Sequence, residues 1–475
     1  MQPPSAVISM GDERMSFGEK ILEYKDDILR DLDELIRIES VSATDKESAS
    51  RALEFVLDRA GQMGFVTRNI KGIAGHVEYG EGEELAAVLA HVDVVPAGEG
   101  WSCEPYRLTE KDGRFYGRGV VDDKGPAIVA LYCMKALKDS GIKTKRRLRL
   151  ILGAAEEIGM DDMTVYFKNE ELPDIAFTPD SDYGICCREK GIMQVEISAG
   201  RHDGTLLTSL RGGSAVNAVP YKASALIDCT EREDNQLRRC ADGRECGFDF
   251  VYTMDGLRIA AAGKASHASI PQDGLNAVAH LIRLLADGFG RDGLGSLCTF
   301  LDKEIGLEND GSTLGIACSD KESGALTLNI GVADIDDKMA RVFIDIRYPV
   351  TRDSGAVFEG IRKKAAEYGL NAKILNHEPP LSMEEDAPVI VMLRDAYKTI
   401  TGEEPRIYST GGGTYARMLK NRGVAFGPVF EGDPAKIHDA DEGISVENFF
   451  RHAEICLEAM HNMAASCRPR FRVHR

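Results

Sequence analysis

No apolar run in the chain approaches the ~20 residues that a bilayer-spanning helix needs, so no transmembrane segment is expected. The opening stretch, MQPPSAVISMGDERMSFGEK, also lacks a basic segment followed by the apolar stretch of an export signal. A short disordered leader over residues 1–16 and a cytoplasmic location are the expectations. Positive charge is in deficit: 58 basic residues face 77 acidic ones, a net charge of −19. That balance argues against nucleic acid or an anionic membrane as partner, but it leaves room for a local basic pocket that holds a small carboxylate. Paired cysteine spacings are missing as well. The 11 cysteines are odd in number and contain no CxxC, and the vicinal Cys186 and Cys187 are more simply packing residues than a redox centre. Reduced, mostly buried thiols fit best.

At 475 residues the chain is too long for one ordinary core, and two domains are expected. Apolar residues recur with a helical period over residues 21–38, and a second helix is predicted over 48–63, ending at Gly64. The run LAAVLA at 85–90 has the length of a buried strand and leads into His91-Val92-Asp93. A helix is predicted from Pro126 to Gly141, and the next buried strand, from Leu148, runs into Glu156-Glu157. This alternation predicts an α/β catalytic domain, a mixed and mostly parallel sheet flanked by helices, with chemistry outside the carboxyl ends of the strands. The texture changes over 188–380, where strand patterns (257–262, 326–332, 340–348) and helix patterns (275–285, 355–368) suggest an inserted α+β lid domain. The catalytic domain is then discontinuous, 17–187 and 381–475, closing on a helical segment PVIVMLRDAYKTI and an amphipathic helix from about Ser445.

Several positions could carry chemistry. His91 and Asp93, two apart at a strand end, suit an imidazole whose second nitrogen is held by a carboxylate. Asp122 and Asp123, in the glycine-flanked loop GRGVVDDKGP, would repel each other unless a cation lies there, although either could cap the following helix. Glu156 and Glu157 follow a buried strand, where an unpaired carboxylate is costly. Asp180 lies in TPDSD, which reads equally as a turn, and His438 stands in the acidic stretch IHDADE.

Taken together, AHVDVVPAGEGW, YGRGVVDDKGP, GAAEEIGM, TPDSDYG and IHDADE resemble, in order and spacing, the dinuclear zinc peptidase family of aminoacylase, carboxypeptidase G and carnosinase. HVDVVPAG, GRGVVDDKGP, the doubled Glu, SHAS at 266–269 and GGGTYAR at 411–417 look most like its bacterial dipeptidase V subgroup. The resemblance covers nearly the whole chain after the leader. It implies two divalent ions, zinc first with manganese or cobalt as alternatives, held by His91, Asp122, Glu157, Asp180 and His438, with Asp122 bridging. It further implies Asp93 orienting His91 and Glu156 as general base; spacing alone does not separate Glu156 from Glu157. From the inserted domain it implies Asn217, His267 as an oxyanion stabiliser and Arg347 as a clamp for the substrate carboxylate, joined by backbone groups of Gly411, Gly412 and Gly413. Read on their own, His267 is a surface histidine and Arg347 a partner to Asp345.

The expected activity is hydrolysis of unblocked dipeptides, the substrate being a small peptide. An N-acyl amino acid deacylase or desuccinylase would use the same metal site. A non-hydrolytic metal- or peptide-binding protein is a third reading, which the presence of Glu156 speaks against. A self-sufficient monomer is expected, with a dimer as the alternative.

Overall fold

The computed structural model describes residues 16–465. All but the last residue of the expected leader therefore lies outside the described residues. The chain divides into two compact units, one made of the described residues up to Cys187, Met383–Tyr408 and Thr414 onward, the other of Arg188–Ser382 and Ser409–Gly413.

The first unit is built on a mixed sheet. Its strands run in the order Val66–Ile70, Ala74–Tyr79, Arg147–Gly153, Leu85–His91, Ile175–Thr178, Gly423–Ala425 and Ile185–Glu189. The inner pairings are parallel, while those at both sides are antiparallel. The sheet is thus less parallel than the βαβ pattern predicts. Only three residues separate Val66–Ile70 from Ala74–Tyr79, and so short a connection can only reverse the chain. Leu85–His91 is buried along its whole length, which explains a continuous apolar run instead of an alternating one.

Helices flank this sheet. Asp45 caps Lys46–Gln62 by accepting the Ser48 N–H at 2.9 Å, and Ala49, Leu53, Val56 and Ala60 form its buried stripe. Lys124–Asp139 is apolar nearly all round, because it packs on the sheet and also against the helices Lys25–Ile36 and Val446–Ala465. Residues 21–38 form a 3₁₀ turn, Gly18–Tyr24, followed by the α-helix Lys25–Ile36. No helix among the described residues is long and apolar enough to cross a membrane.

The second unit holds an eight-stranded antiparallel sheet in the order Gly247–Thr253, Gly256–Ala262, Lys222–Ile227, Leu207–Gly212, Thr327–Ile335, Ala340–Tyr348, Gly191–Ala199, Asn371–Glu378. Along Gly256–Ala262 burial alternates: Leu257, Ile259 and Ala261 are buried, while Arg258, Ala260 and Ala262 face solvent. Ala277–Phe289, capped by Asn276, packs against this sheet, as does Ser354–Glu367, capped by Asp353.

One buried histidine in the first unit ties its stability to pH. His452 is held by the Tyr183 hydroxyl at 2.9 Å, and burial pushes its pKa down to about 3. An unfolded histidine titrates near 6.5. Between these values the unfolded chain takes up a proton that the folded chain refuses. The stabilisation is therefore complete above pH ~6.5 and falls as pH drops, by up to about 1.4 kcal/mol per pH unit. His452→Asn should flatten the decline in denaturant midpoint between pH 7 and pH 4.5 relative to the unsubstituted protein; equal slopes would remove His452 from the acid response.

Candidate metal centre

Three neighbouring parallel strands lead into the site. Leu85–His91 lies between Arg147–Gly153 and Ile175–Thr178, with His91 opposite Gly153. The chain just beyond their carboxyl ends supplies Glu156, Glu157 and Asp180, and the loop before Lys124–Asp139 supplies Asp122. Strand Gly153 cannot carry a Cβ, which would collide with the Tyr415 hydroxyl and the Asp162 carboxylate packed there. Those two groups hydrogen-bond each other at 2.5 Å, and Asp162 accepts the Ala155 N–H at 2.8 Å, so the turn entering Glu156 is pinned.

His91 is buried, and its Nε2 lies 2.9 Å from Asp122 Oδ1. The two atoms do not meet in hydrogen-bonding geometry, and Nε2 has no hydrogen-bond partner. A buried nitrogen and an oxygen this close without a hydrogen bond between them suit two donors to a shared cation. The other nitrogen, Nδ1, meets the Asp93 carbonyl oxygen at 2.9 Å and the Asp93 carboxylate only at 3.5 Å. Asp93 thus steadies His91 mainly through its main chain. Its carboxylate accepts the N–H groups of Glu156 (3.1 Å) and Glu157 (3.2 Å) and the Ser42 hydroxyl (2.7 Å).

The doubled aspartate resolves into two tasks. Asp122 faces both histidines, with Oδ2 3.0 Å from His438 Nε2. Asp123 stands at the helix N-cap position but makes no capping bond; it accepts the His91 N–H at 3.1 Å. His438, half exposed, also reaches Glu157 Oε1 at 3.1 Å. Its backbone lies in the left-handed region at φ +64°, sparsely populated for a non-glycine residue and a frequent mark of functional loops.

One donor atom from each of His91, Asp122 and Glu157 falls within 4.8 Å of the others, and so does one from each of His91, Glu156 and Asp180. The structure therefore gathers Glu156 into the cluster beside Asp180, and His438 joins through Asp122 and Glu157. Burial raises the pKa of Glu156 and Asp180 well above the usual carboxylate range, and neighbouring acids add to this: Asp180 beside Glu156, Asp122 beside Asp180. Glu157 is raised by burial and by Asp122. Burial also opposes ionisation of Asp122, but His438 and His91 outweigh it and hold Asp122 well below the usual range. For His438 burial works downward, and hydrogen bonds with Asp122 and Glu157 overcome it to give a pKa of about 11. Without cations, protons neutralise the surplus negative charge. The orphaned His91 nitrogen and a donor set of imidazoles and carboxylates fit divalent ions of the Zn²⁺, Mn²⁺ or Co²⁺ kind, whose binding displaces those protons.

The second unit makes its own cluster. His267 forms an isolated bridge with Ala218, next to Asn217, and the Asn217 carbonyl accepts the Ala268 N–H at 2.9 Å. The His267 ring is exposed, and Nδ1 contacts the Ser269 hydroxyl at 2.7 Å and the Ser269 N–H at 3.3 Å. An amide can only donate, so Nδ1 accepts and the proton of the neutral ring sits on Nε2. Arg347 is buried and bound to Asp345 through Nε (2.5 Å) and Nη2 (3.0 Å), and it donates from Nη1 to the Gly411 carbonyl at 2.9 Å. Three of its five N–H groups are thereby engaged, leaving one on each terminal nitrogen. A Cβ on Gly411 would sit 2.8 Å from the Ser269 Cβ, so the glycine lets the Arg347 and His267 neighbourhoods close up. Gly412 N–H donates to Thr410 Oγ1 at 3.0 Å. A cavity of about 690 Å³ in this unit is lined by Lys190, Ser269, Thr327, Thr410 and Gly411 among others.

Arg118 and Glu442 form a buried ion pair on the loops of Asp122 and His438, which sequence reasoning passes over. The signal was a charged residue inside the glycine-flanked, otherwise apolar GRGVV. Ser42, Asp162 and Tyr415 carried no such signal.

The strand-end cluster on the α/β frame is a candidate site for divalent metal ions. The chain belongs to peptidase family M20/M25/M40, whose profile matches residues 87–462. It is 32% identical over 470 residues to a Bacillus subtilis (strain 168) protein named "Putative dipeptidase YtjP", covering 95% of this chain and 100% of that one. In structure it is similar to human carnosine dipeptidase 1, with a TM-score of 0.60, 15% identity and coverage of 97% and 99% of the two chains. It is likewise similar to the M20 family metallo-carboxypeptidase Sso-CP2 from Sulfolobus solfataricus, with a TM-score of 0.59, 18% identity and coverage of 92% and 98%. At that identity the two structures speak to the fold alone.

Ion binding should stabilise the chelator-stripped protein. At a free-ion concentration about 100 times Kd the gain is about 2.7 kcal/mol. Thermal unfolding with and without Zn²⁺ or Mn²⁺ measures it, and Asp122→Asn, which removes a donor shared by both histidines, should abolish most of the gain. An undiminished shift in that variant would rule this cluster out as the binding site.

Proposed function

We propose that the protein is a dinuclear metallopeptidase that hydrolyses unblocked dipeptides. The observation that carries this reading is the convergence of His91, Asp122, Glu156, Glu157, Asp180 and His438 at one strand-end site. One divalent ion, zinc first with manganese or cobalt as alternatives, would be held by His91, Asp122 and Asp180. A second would be held by Asp122, Glu157 and His438, with Asp122 bridging. When bound, such ions lower the pKa of a shared water and polarise the scissile carbonyl.

The chain's own groups do the rest. Glu156 accepts the proton of the attacking water and returns it to the leaving amine. Asp93 holds the Glu156 backbone in place for this transfer. In the second unit His267, with its proton on Nε2, donates to the developing oxyanion, assisted by Asn217. Arg347, fixed edge-on by Asp345, offers its two remaining N–H groups to the substrate's terminal carboxylate, with backbone groups of Gly412 and Gly413 beside it. The dipeptidase name of the Bacillus subtilis relative supports dipeptides over N-acyl amino acids. The odd count of 11 cysteines without any CxxC spacing supports a cytoplasmic enzyme. We take the working form to be a monomer.

A panel of unblocked dipeptides, N-acyl amino acids and tripeptides, run with each metal added back to stripped protein, tests the reading. Free amino acid should appear chiefly from dipeptides; preferred release from N-acyl amino acids would replace this reading with a deacylase. Glu156→Gln should lower kcat by about 10²–10⁴-fold with metal content unchanged, and undiminished turnover would exclude Glu156 as the base. Arg347→Lys keeps the charge but not the fork. It should raise KM for dipeptides while affecting their C-terminal amides little, and equal losses on both would exclude the carboxylate clamp.

A further inference from the structure

We infer that Arg118 and Glu442 form a brace that sets the Asp122 loop and the His438 loop in their binding positions before any ion arrives, making both of them positioning residues of the metal centre. The inference rests on reading the strand-end cluster as that centre.

Glu442 is fully buried, and all of its partners come from the loop that carries Asp122. Its Oε1 accepts the N–H groups of Val121 (3.0 Å), Gly119 (3.1 Å) and Asp122 itself (3.2 Å). Its Oε2 accepts from Gly119 at 3.1 Å and from Arg118 Nη1 at 2.6 Å. The main chain adds a further tie, Gly117 N–H to the Glu442 carbonyl at 3.1 Å. Arg118, 1% exposed, then turns Nη2 toward three carbonyl oxygens: Pro96 (3.3 Å), Ala97 (3.2 Å) and Asp439 (3.2 Å), the last next to His438. The pair thus ties together the segment that follows His91 and Asp93, the loop of Asp122 and the loop of His438.

Two features argue for positioning over plain stability. A buried ion pair is a poor source of stability compared with apolar residues of the same volume, so its retention calls for another reason. Here its hydrogen bonds end on backbone, at Asp122 itself, at its neighbour Val121 and at Asp439 next to His438, as well as at Gly119, Pro96 and Ala97. The loop it braces is also strained: Lys436, His438 and Asp441 have φ of +50°, +64° and +60°. Such a conformation persists only where its surroundings enforce it. The brace holds the Asp122 loop through its backbone amides and adds no net charge, since Arg118 pairs with Glu442.

The first test uses the unsubstituted protein. After chelation, amide hydrogen exchange at Gly119, Val121 and Asp122 should stay as slow as in the zinc-loaded protein; exchange at the rate of an unstructured chain would overturn the inference. The second test compares Glu442→Gln with the charge-balanced double variant Arg118→Met/Glu442→Gln. Zinc affinity, read by chelator competition, should fall about 10–100-fold in both. The metal-free thermal midpoint of the double variant should remain close to that of the unsubstituted protein, which a purely structural role would not allow. Trp101, the single tryptophan, lies under the Arg118 guanidinium at 5.3 Å, so its emission reports whether the brace is intact. A folded variant with altered emission and unchanged zinc affinity would overturn the inference, and if neither variant folds the exchange measurement decides. None of these readouts needs turnover. Failure to cut dipeptides would leave the brace standing, whereas failure of the unsubstituted protein to bind zinc would remove the metal centre itself.

Discussion

Repulsion among Asp122, Glu156, Glu157 and Asp180 is the constraint around which the first unit is organised. Carboxylates this close resist both desolvation and one another, and a rigid frame, together with bound protons or cations, keeps them together. The frame comes from a second set of acids lying behind the first. Asp93 accepts the amides of Glu156 and Glu157, Asp123 that of His91, Asp162 that of Ala155, and Glu442 those of Gly119, Val121 and Asp122. Each rear carboxylate holds the backbone of a residue that presents, or adjoins one that presents, a donor to the cluster. Backbone amides satisfy the rear set without adding negative charge to the front.

The same logic recurs on a smaller scale in the second unit. Asp345 fixes the plane of the Arg347 guanidinium and leaves one N–H on each terminal nitrogen, while Ser269 fixes the tautomer of His267. Arg347 therefore fulfils the plain expectation of an Asp345 partner and keeps the donors that a carboxylate clamp requires. The pairing sets the direction of the fork.

Much of this was legible from the chain. Apolar runs identified the strands Leu85–His91 and Arg147–Gly153, and their C-terminal neighbours His91, Glu156 and Glu157 stood out because charged residues there interrupt buried strands. The order of the motifs brought in Asp122, Asp180 and His438 as well, although none was convincing singly. The antiparallel edges were not legible, since a periodicity does not say which neighbour a strand chooses. Nor were the tasks of paired residues: Asp122 and Asp123 are identical in type and adjacent, and only the fold turns one toward the histidines and the other toward the His91 amide.

The sequence by itself thus determined which residue types stand at strand ends and in which order, because burial and period are local properties that a pattern records. Tertiary structure alone decided that Arg147–Gly153, Leu85–His91 and Ile175–Thr178 lie side by side, and that Glu442 reaches back more than 300 residues along the chain to Gly119 and Asp122. Such pairings depend on strand register and on the return of a distant segment. No local pattern encodes them, since the hydrogen bonds that enforce them form only once the sheet is assembled.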